Sequence, residues 1–469
     1  MTKPAILNVL AARYASDEMV RIWSAEHKVV LERQFWLAVL VAQRDLGVAV
    51  ADGAVEAYEA VLEVVDLDSI AARERVTKHD VKARIEELNA LAGFQEIHKG
   101  LTSRDLTENV EQLQIRLAVA LVRDRMVAAL ARLAERAAEH ASVAVTGRSH
   151  NVPAQVTTVG KRLANAGEEL LVALARIEEL LARYPLRGVK GPVGTQQDLL
   201  DLLGGDAGLV GQLEQRVAAH LGFEAVLGNV GQVYPRSLDL DVVAAFLQAA
   251  SGPANLAVTL RLMAGAGLAT EGFLPGQVGS SAMPHKQNAR SSERITALTH
   301  ILGGHLAMVT ALVGDQWNEG DVSCSAVRRI ALPDASFAVD GLFETLLAVL
   351  RGFAVYQDRI AAELERELPF LATTKLLLAL VKRGIGREDA HAAVKQHALA
   401  AAGDGPAFLA RLAGDERIGL SADDLSTLVG DPLDLAGAAP AQVAAFMARV
   451  DQVTKRHPEA AAYEGGDVL

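Results

Sequence analysis

Residues 105–140 read DLTENVEQLQIRLAVALVRDRMVAALARLAERAAEH, a stretch with neither glycine nor proline. Ala, Leu, Arg and Glu dominate it, residues that lose little on entering a helix. Nothing in the stretch stops a helix, so it predicts one rod about 54 Å long. That is several times the usual helix of ~11–12 residues. Four more tracts have the same character: 153–184, 239–267, 289–314 and 333–367. Joined by polar loops, they predict an all-α protein built on an elongated central helical bundle. Rods of this length need apolar partners along their whole extent, which one chain does not supply. Association of several copies through the bundle is the expected consequence.

The flanks are different. Upstream, Ser24 is placed to cap a helix running to Gly47, and shorter helical tracts follow to Gly93. Downstream of Leu368, glycine, aspartate and proline turns become frequent, as at Gly384, Gly386 and Gly430-Asp431-Pro432. We expect an N-terminal helical domain over 1–104, the bundle over 105–367 and a small helical domain over 368–469. The tail after Arg456 is expected to be loosely held. Two apolar stretches, 242–260 and 295–314, mimic membrane spans. Their Gln248, Asn255, His300 and His305 suit contacts within a bundle better than lipid, and we read both as helices buried on all sides.

Composition narrows the function. The chain has 469 residues, 51% hydrophobic but 4% aromatic, and a net charge of −12. It has no block of Lys and Arg, so nucleic acid and anionic membranes are poor partners. An acidic protein that takes an anionic ligand must gather its cations locally. Cys324 is the single cysteine, which rules out an intrachain disulfide and fits a reducing cytoplasm. No Cys/His spacing suits a structural metal. The first residues lack the apolar core of a secretory signal.

Chemistry concentrates in the polar loops. Residues 279–288, Gly-Ser-Ser-Ala-Met-Pro-His-Lys-Gln-Asn, bring two hydroxyls (Ser280, Ser281), a fixed cation (Lys286) and a directional amide (Asn288) into one segment. Gly272, Gly276 and Gly279 allow its approach to move. This set suits gripping a carboxylate while a proton leaves the neighbouring carbon. Four other clusters sit at loops or helix starts: Arg13-Tyr14; Lys78-His79-Asp80 with His98, Thr102 and Ser103; Gly147-Arg148-Ser149-His150-Asn151; and Gln232 with Arg236. Each has a plain structural alternative. His150 reads as a residue ahead of a helix with Pro153 at its first position, His79-Asp80 as an ion pair on a wet face, and His98-Lys99 as a polar turn.

The order G-S-S-x-M-P-x-K-x-N followed by Glu293 resembles the signature loop of the fumarase/aspartase superfamily of lyases. Thr102-Ser103-Arg104-Asp105, Gly147–Asn151, Thr157-Thr158 and Lys190-Gly191-Pro192-Val193-Gly194 add a resemblance to its adenylosuccinate lyase family, from Arg13 to beyond Leu368. The resemblance implies a homotetramer with a shared helical bundle and active sites drawn from several subunits. It implies release of fumarate from succinyl purine nucleotides, with no metal and no organic cofactor. Carried over position by position, Ser280 is the base, His150 the acid, Lys286 the stabiliser of the Ser280 alkoxide and Glu293 the orienting partner of His150. Asn288 holds a substrate carboxylate, with Ser281 and Met283 beside it. Arg13, Tyr14, Ser325 and Arg329 take the phosphate. His79, Asp80, His98, Thr102, Ser103, Gln232 and Arg236 line the succinyl and base pocket. Asn318-Glu319-Gly320-Asp321-Val322-Ser323-Cys324-Ser325 departs from the family pattern, with Gly320 and Cys324 where an Arg and a His are usual. The competing readings are another lyase of the superfamily, such as argininosuccinate lyase, a cycloisomerase of the same fold, or a non-catalytic helical assembly protein.

Overall fold

The computed structural model describes residues 6–273, 276 and 279–466. The first five residues, part of the segment read against a secretory signal, and the last three of the tail lie outside it. The chain opens with α1 (Val9–Arg13), α2 (Asp17–Trp23) and α3 (Ala25–Asp45). Ser24 caps α3 as expected, its hydroxyl accepting from the His27 N–H at 3.2 Å. Next come α4 (Ala54–Ala60), α5 (Leu67–Thr77) and α6 (Asp80–Ala92).

The long rod is α7 (Ser103–Glu139). Against it pack α8 (Val159–Arg183), α11 (Ser237–Gly265) and α13 (Ser325–Gly352), with α12 (Arg290–Thr310) seated on α11 and α13, while α9 (Gln197–Leu202) and α10 (Ala207–His220) fill the α8–α11 connection. Small residues let the rods approach. A side chain at Gly160 would meet the Ala137 carbonyl of α7 at 2.4 Å, and one at Gly252 the Ala166 carbonyl of α8 at 2.7 Å. The core is continuous along the bundle, from Leu106, Val122 and Leu130 to Leu174, Phe246, Leu302 and Phe343.

Two sequence expectations change. Residues 153–158 are not the start of a helix. β1 (Ala144–Ser149) and β2 (Val152–Thr158) form an antiparallel hairpin, and α8 begins only after Thr158, whose hydroxyl accepts from the Lys161 N–H at 3.1 Å. The β-branched run Val156-Thr157-Thr158 favours strand over helix. The tract 333–367 is also two helices. α13 starts at Ser325 and carries Pro333 inside it. It stops at Gly352, where a side chain would meet the Glu271 carbonyl at 2.4 Å. The chain then pairs β4 (Ala354–Val355) with β3 (Ala269–Thr270) before α14 (Gln357–Leu371).

Beyond α14, α15 (Thr373–Lys382), α16 (Arg387–Ala400), α17 (Gly405–Ala413) and α18 (Ala422–Val429) enclose a separate small core of Leu376, Leu380, Val394, Phe408, Leu412 and Leu425. The chain then returns to the bundle: α19 (Ala439–Arg456) packs on α7 and α8, and α20 (Pro458–Ala461) on α7. Over residues 457–466 the tail is therefore held, not loose. Arg132 donates to the Ala461 carbonyl at 3.1 Å, and Arg351 to the Glu464 carbonyl at 2.9 Å.

The two apolar tracts are covered on one face only. α11 is long and apolar enough to cross a membrane by length and composition, and 56% of its most apolar window is buried. Val258 and Leu262 of α11, Ile301 of α12 and Ile330 of α13 remain exposed. The expected burial on all sides is not met within one chain.

Candidate active site

The residues singled out from the sequence fall into groups set by the ends of α7. At its N-terminal end, the Thr102 N–H donates to Asp105 Oδ2 at 2.8 Å. Asp105 Oδ1 receives Arg187 Nη1 at 2.6 Å and the Lys190 and Gly191 N–H groups at 2.9 and 3.0 Å. This buried carboxylate ties the 102–105 turn to the 187–191 loop. His79 stands at the N-cap of α6, its Nδ1 accepting from the Lys82 N–H at 3.3 Å. Asp80 pairs with Arg84 at 3.1 Å. His98 sits in the left-handed region, φ 68°, with Nδ1 accepting from Trp36 Nε1 at 3.0 Å. Burial pulls its pKa down to about 4, against the opposing charge of Asp105.

Gln232 belongs to the same end. Its N–H donates to the Glu319 carbonyl at 2.6 Å, and a side chain at Gly231 would collide with that carbonyl. Arg236 lies behind this surface, fully buried, donating to Glu108 at 2.9 Å. Glu108 also accepts from the Tyr234 N–H at 3.2 Å, and Arg328 joins Asp239 at 2.7 Å and Glu111 at 2.5 Å. Arg328, after the cost of burial, holds the Glu111 carboxyl down to about 2. This buried ionic knot roots Ser325 and the exposed Arg329 at the start of α13.

At the other end stands the β1–β2 hairpin. His150 and Asn151 are its two turn residues, both with positive φ (52° and 61°), as a tight primed turn requires. His150 is exposed at the tip. A groove of about 890 Å³ runs between the hairpin and α11, lined by Arg148, Ser149, Asn151, Arg162, Asn255 and Arg261.

The 279–288 loop lies near this end too. It closes on itself: Asn288 Nδ2 donates to the Gly279 carbonyl at 2.9 Å, and a side chain at Gly279 would meet the Lys286 carbonyl at 2.2 Å. Ser280 Oγ accepts from the Met283 and Ala282 N–H groups at 3.1 and 3.4 Å. Ser281, Met283 and Lys286 are exposed. Glu271 closes the entry to α12, taking the Ser291 and Ser292 N–H groups at 2.8 and 2.9 Å. Glu293 stands 3.8 Å from Arg261, and among the described residues no ion pair joins it to His150 of the same chain.

The Arg13-Tyr14 turn sits partway along α13. Gly341 meets Tyr14, and the Arg294 guanidinium lies 5.2 Å from the Tyr14 ring centre. A cavity of about 390 Å³ adjoins the turn.

The group around His98, Thr102 and Ser103 is too far from the hairpin for both to serve one ligand within one chain. The length of α7, about 55 Å, separates His98, Thr102 and Ser103 from the hairpin root, and the hairpin folding back recovers at most about 20 Å. Sequence reasoning missed Trp36, Asp105, Glu271 and Arg294. Only Asp105, inside the Thr-Ser-Arg-Asp run, carried a signal.

Comparison with known proteins gives the family. The family model described as Lyase matches residues 12–303, and the one described as adenylosuccinate lyase C-terminus matches residues 369–446. The adenylosuccinate lyase of Saccharomyces cerevisiae is 35% identical over 452 residues, covering 93% of each chain. The chain belongs to the adenylosuccinate lyase family. It is an enzyme, a lyase of the fumarase/aspartase superfamily. The adenylosuccinate lyase of Schistosoma mansoni is 33% identical over 402 residues, covering 85% of this chain and 84% of that one. Among solved structures, the 3-carboxy-cis,cis-muconate lactonizing enzyme of Pseudomonas putida superposes with a TM-score of 0.81 at 21% identity, over 95% of this chain and 100% of that one. The fumarate lyase of Mesorhizobium sp. BNC1 gives 0.80 at 22%, with the same coverage. These two share the all-α fold.

Proposed function

We propose that this lyase splits adenylosuccinate into AMP and fumarate, and the succinyl-aminoimidazole-carboxamide ribotide into AICAR and fumarate, at sites assembled from several copies of the chain. The observation that carries the reading is the arrangement of the 279–288 loop. It is clamped by Gly279 and Asn288 yet presents Lys286 to solvent. The Ser280 oxygen receives two backbone N–H groups. A serine hydroxyl is a weak base, and donors aimed at its oxygen, with Lys286 near in the chain, lower the cost of the alkoxide.

Ser280 Oγ takes the proton from the succinyl carbon beside a carboxylate. The electron pair moves into that carboxylate as an aci-carboxylate, held by Asn288 and the loop. The C–N bond then breaks, its electrons go to nitrogen, and His150 delivers the proton there. Neutral His98 has its Nδ1 filled by the Trp36 N–H, so it offers Nε2–H as a donor to the substrate. Arg13, Tyr14, Ser325 and Arg329 bind the phosphate, where the Arg fork suits paired oxygens. Glu293 orients His150 of a neighbouring copy.

The exposed apolar residues of α11, α12 and α13 supply the surface through which copies join. We propose a homotetramer working in the cytoplasm. Domains over 1–104, 105–367 and 368–469 remain the proposed division, with α19 and α20 returning to the bundle. Purified protein given adenylosuccinate should release fumarate, followed by absorbance. Release from argininosuccinate alone would place the chain with the other lyases, and release from neither would favour a non-catalytic assembly role.

A further inference from the structure

The segment after α19 packs on the bundle and ends in a set of polar contacts. Tyr463 Oη donates to Glu344 Oε1 at 2.8 Å, and the Gly466 N–H donates to Glu344 Oε2 at 2.7 Å. Both oxygens of this buried carboxylate are thus taken by the tail. Arg351 holds the Glu464 and Gly465 carbonyls at 2.9 and 3.3 Å. A side chain at Gly465, φ 83°, would stand 3.0 Å from Leu347, so the tail lies flat on α13.

The contacts continue toward the N-terminus. Arg125 of α7 stacks on the Tyr463 ring at 3.7 Å, pairs with Glu344 at 2.9 Å, and pairs with Glu18. Its Nη2 reaches Ser16 Oγ at 3.4 Å. Asp340, one turn before Glu344, accepts the Ser16 N–H at 2.6 Å. Ser16 is two residues from Tyr14, whose backbone rests on Gly341. The cavity beside Arg13 and Tyr14 is walled on its far side by Glu344, Tyr463 and Gly466.

We infer that the C-terminal segment 457–466 is a strap that sets the Arg13-Tyr14 turn for phosphate binding, with Tyr463 and Glu344 as positioning residues. The inference rests on the reading of Arg13 and Tyr14 as phosphate ligands. Arg13 is exposed, and its backbone belongs to this turn. The turn is held by Asp340 and Arg125, and Arg125 is held in place by the Tyr463 ring and Glu344. Loosening the strap frees the turn without touching the 279–288 loop or the hairpin.

The test compares adenylosuccinate with succinyladenosine, its analogue lacking the phosphate. For Tyr463→Ala, the ratio of kcat/KM on the two substrates should fall about tenfold, the scale of losing a well-placed charged hydrogen bond. The loss should appear in KM for adenylosuccinate, with kcat and turnover of succinyladenosine close to wild type. Tyr463→Phe keeps the stacking on Arg125 and should restore most of the ratio. Glu344→Gln keeps the side-chain shape and serves as an independent second variant, each checked for folding and assembly by circular dichroism and sedimentation. An unchanged ratio in both folded variants, while Arg13→Ala lowers it, overturns the strap. An unchanged ratio in Arg13→Ala itself removes the phosphate reading and the strap with it. Equal losses on both substrates also overturn the strap, since they mark general destabilisation.

Discussion

Trp36 Nε1 donates to His98 Nδ1 at 3.0 Å, with the two rings edge to face at 80°. An indole N–H is a donor only, so this bond requires an unprotonated Nδ1 and leaves the hydrogen on Nε2. Burial disfavours the imidazolium, His79 and Lys82 add repulsion, and Asp105 opposes them. Buried Trp36 thus selects one tautomer of His98 and holds it in a left-handed backbone position.

Trp36→Phe keeps the ring packing and removes the donor. We expect kcat/KM on adenylosuccinate to fall roughly tenfold, the scale of one lost hydrogen bond to a positioned group. Nitrogen chemical shifts of His98 should move from a single tautomer to a mixture. Wild-type activity with unchanged shifts would falsify the assignment of Trp36 as the tautomer-setting partner.

The same burial gives a pH dependence of stability. The folded His98 pKa, about 4, lies below the unfolded value of 6.5. Between these values the unfolded chain binds the extra proton. His98 therefore contributes fully above pH 6.5, and about 3 kcal/mol of stability is lost as pH falls to 4. Denaturant unfolding of His98→Gln against wild type, from pH 7 to pH 4, should show a shallower acid loss in the variant. Parallel curves count against a neutral His98.

The separation of His98 from His150 along α7 makes a second kind of test possible. Each single variant, His98→Gln and His150→Ala, should lose activity, by about 10²–10⁴-fold for a general acid at His150. Mixed subunits of the two, refolded together, should recover about a quarter of wild-type sites, because each site draws the two histidines from different copies. Mixtures no more active than their parents would argue for both histidines on one chain per site.

The rods were legible in sequence because Gly and Pro are sparse and helix periodicity is local information. Ser24 and Gly93 gave usable boundaries for the same reason. The hairpin was missed because Pro153 read as a helix start. The tight turn at His150-Asn151 depends on two positive φ angles that neither residue announces as clearly as glycine would. The signature loop was legible through the order of its residues. Its closure was not, since the fit of Gly279 against the Lys286 carbonyl is set by the fold. Trp36 and Glu271 were invisible because they act through partners 62 and 20 residues away. The tail was misread because its composition is that of a loose end. What holds it is Glu344 and Arg125, residues of α13 and α7 that face inward.

Arg328 tests the buried ionic knot behind Gln232 and Ser325. It is buried and faces Asp239, Glu111 and Glu108. Arg328→Leu leaves Asp239 and Glu111 without their cation, while Glu108 keeps Arg236, and we expect about 3–5 kcal/mol of destabilisation by denaturant unfolding. Glu111 should also rise from about 2 toward the ordinary carboxylate value near 4.5, so the wild type loses this contribution as pH falls from about 4.5 toward 2, and the stability gap between wild type and variant should narrow over that range. A variant within about 1 kcal/mol of wild type at neutral pH would mean that water or neighbouring groups already satisfy the knot.

The choice between Ser280 and Ser281 follows from where their oxygens stand. Ser280 Oγ is aimed into the loop and receives two N–H groups, while Ser281 is exposed. Only the first is arranged to carry negative charge. Ser280→Ala should reduce kcat by about 10²–10⁴-fold, the range for removing a proton-transfer group. KM should change little, because the hydroxyl matters at the proton transfer and not in the ground state. Ser281→Ala should stay within a few-fold of wild type. The reverse pattern would move the base by one residue and imply that the loop turns over when it closes, exposing Ser281 to the succinyl carbon instead. Solvent deuterium exchange separates these cases from a purely structural effect. A folded Ser280→Ala protein that still exchanges the succinyl proton at the wild-type rate retains its base, and the role would then pass from Ser280 to another group.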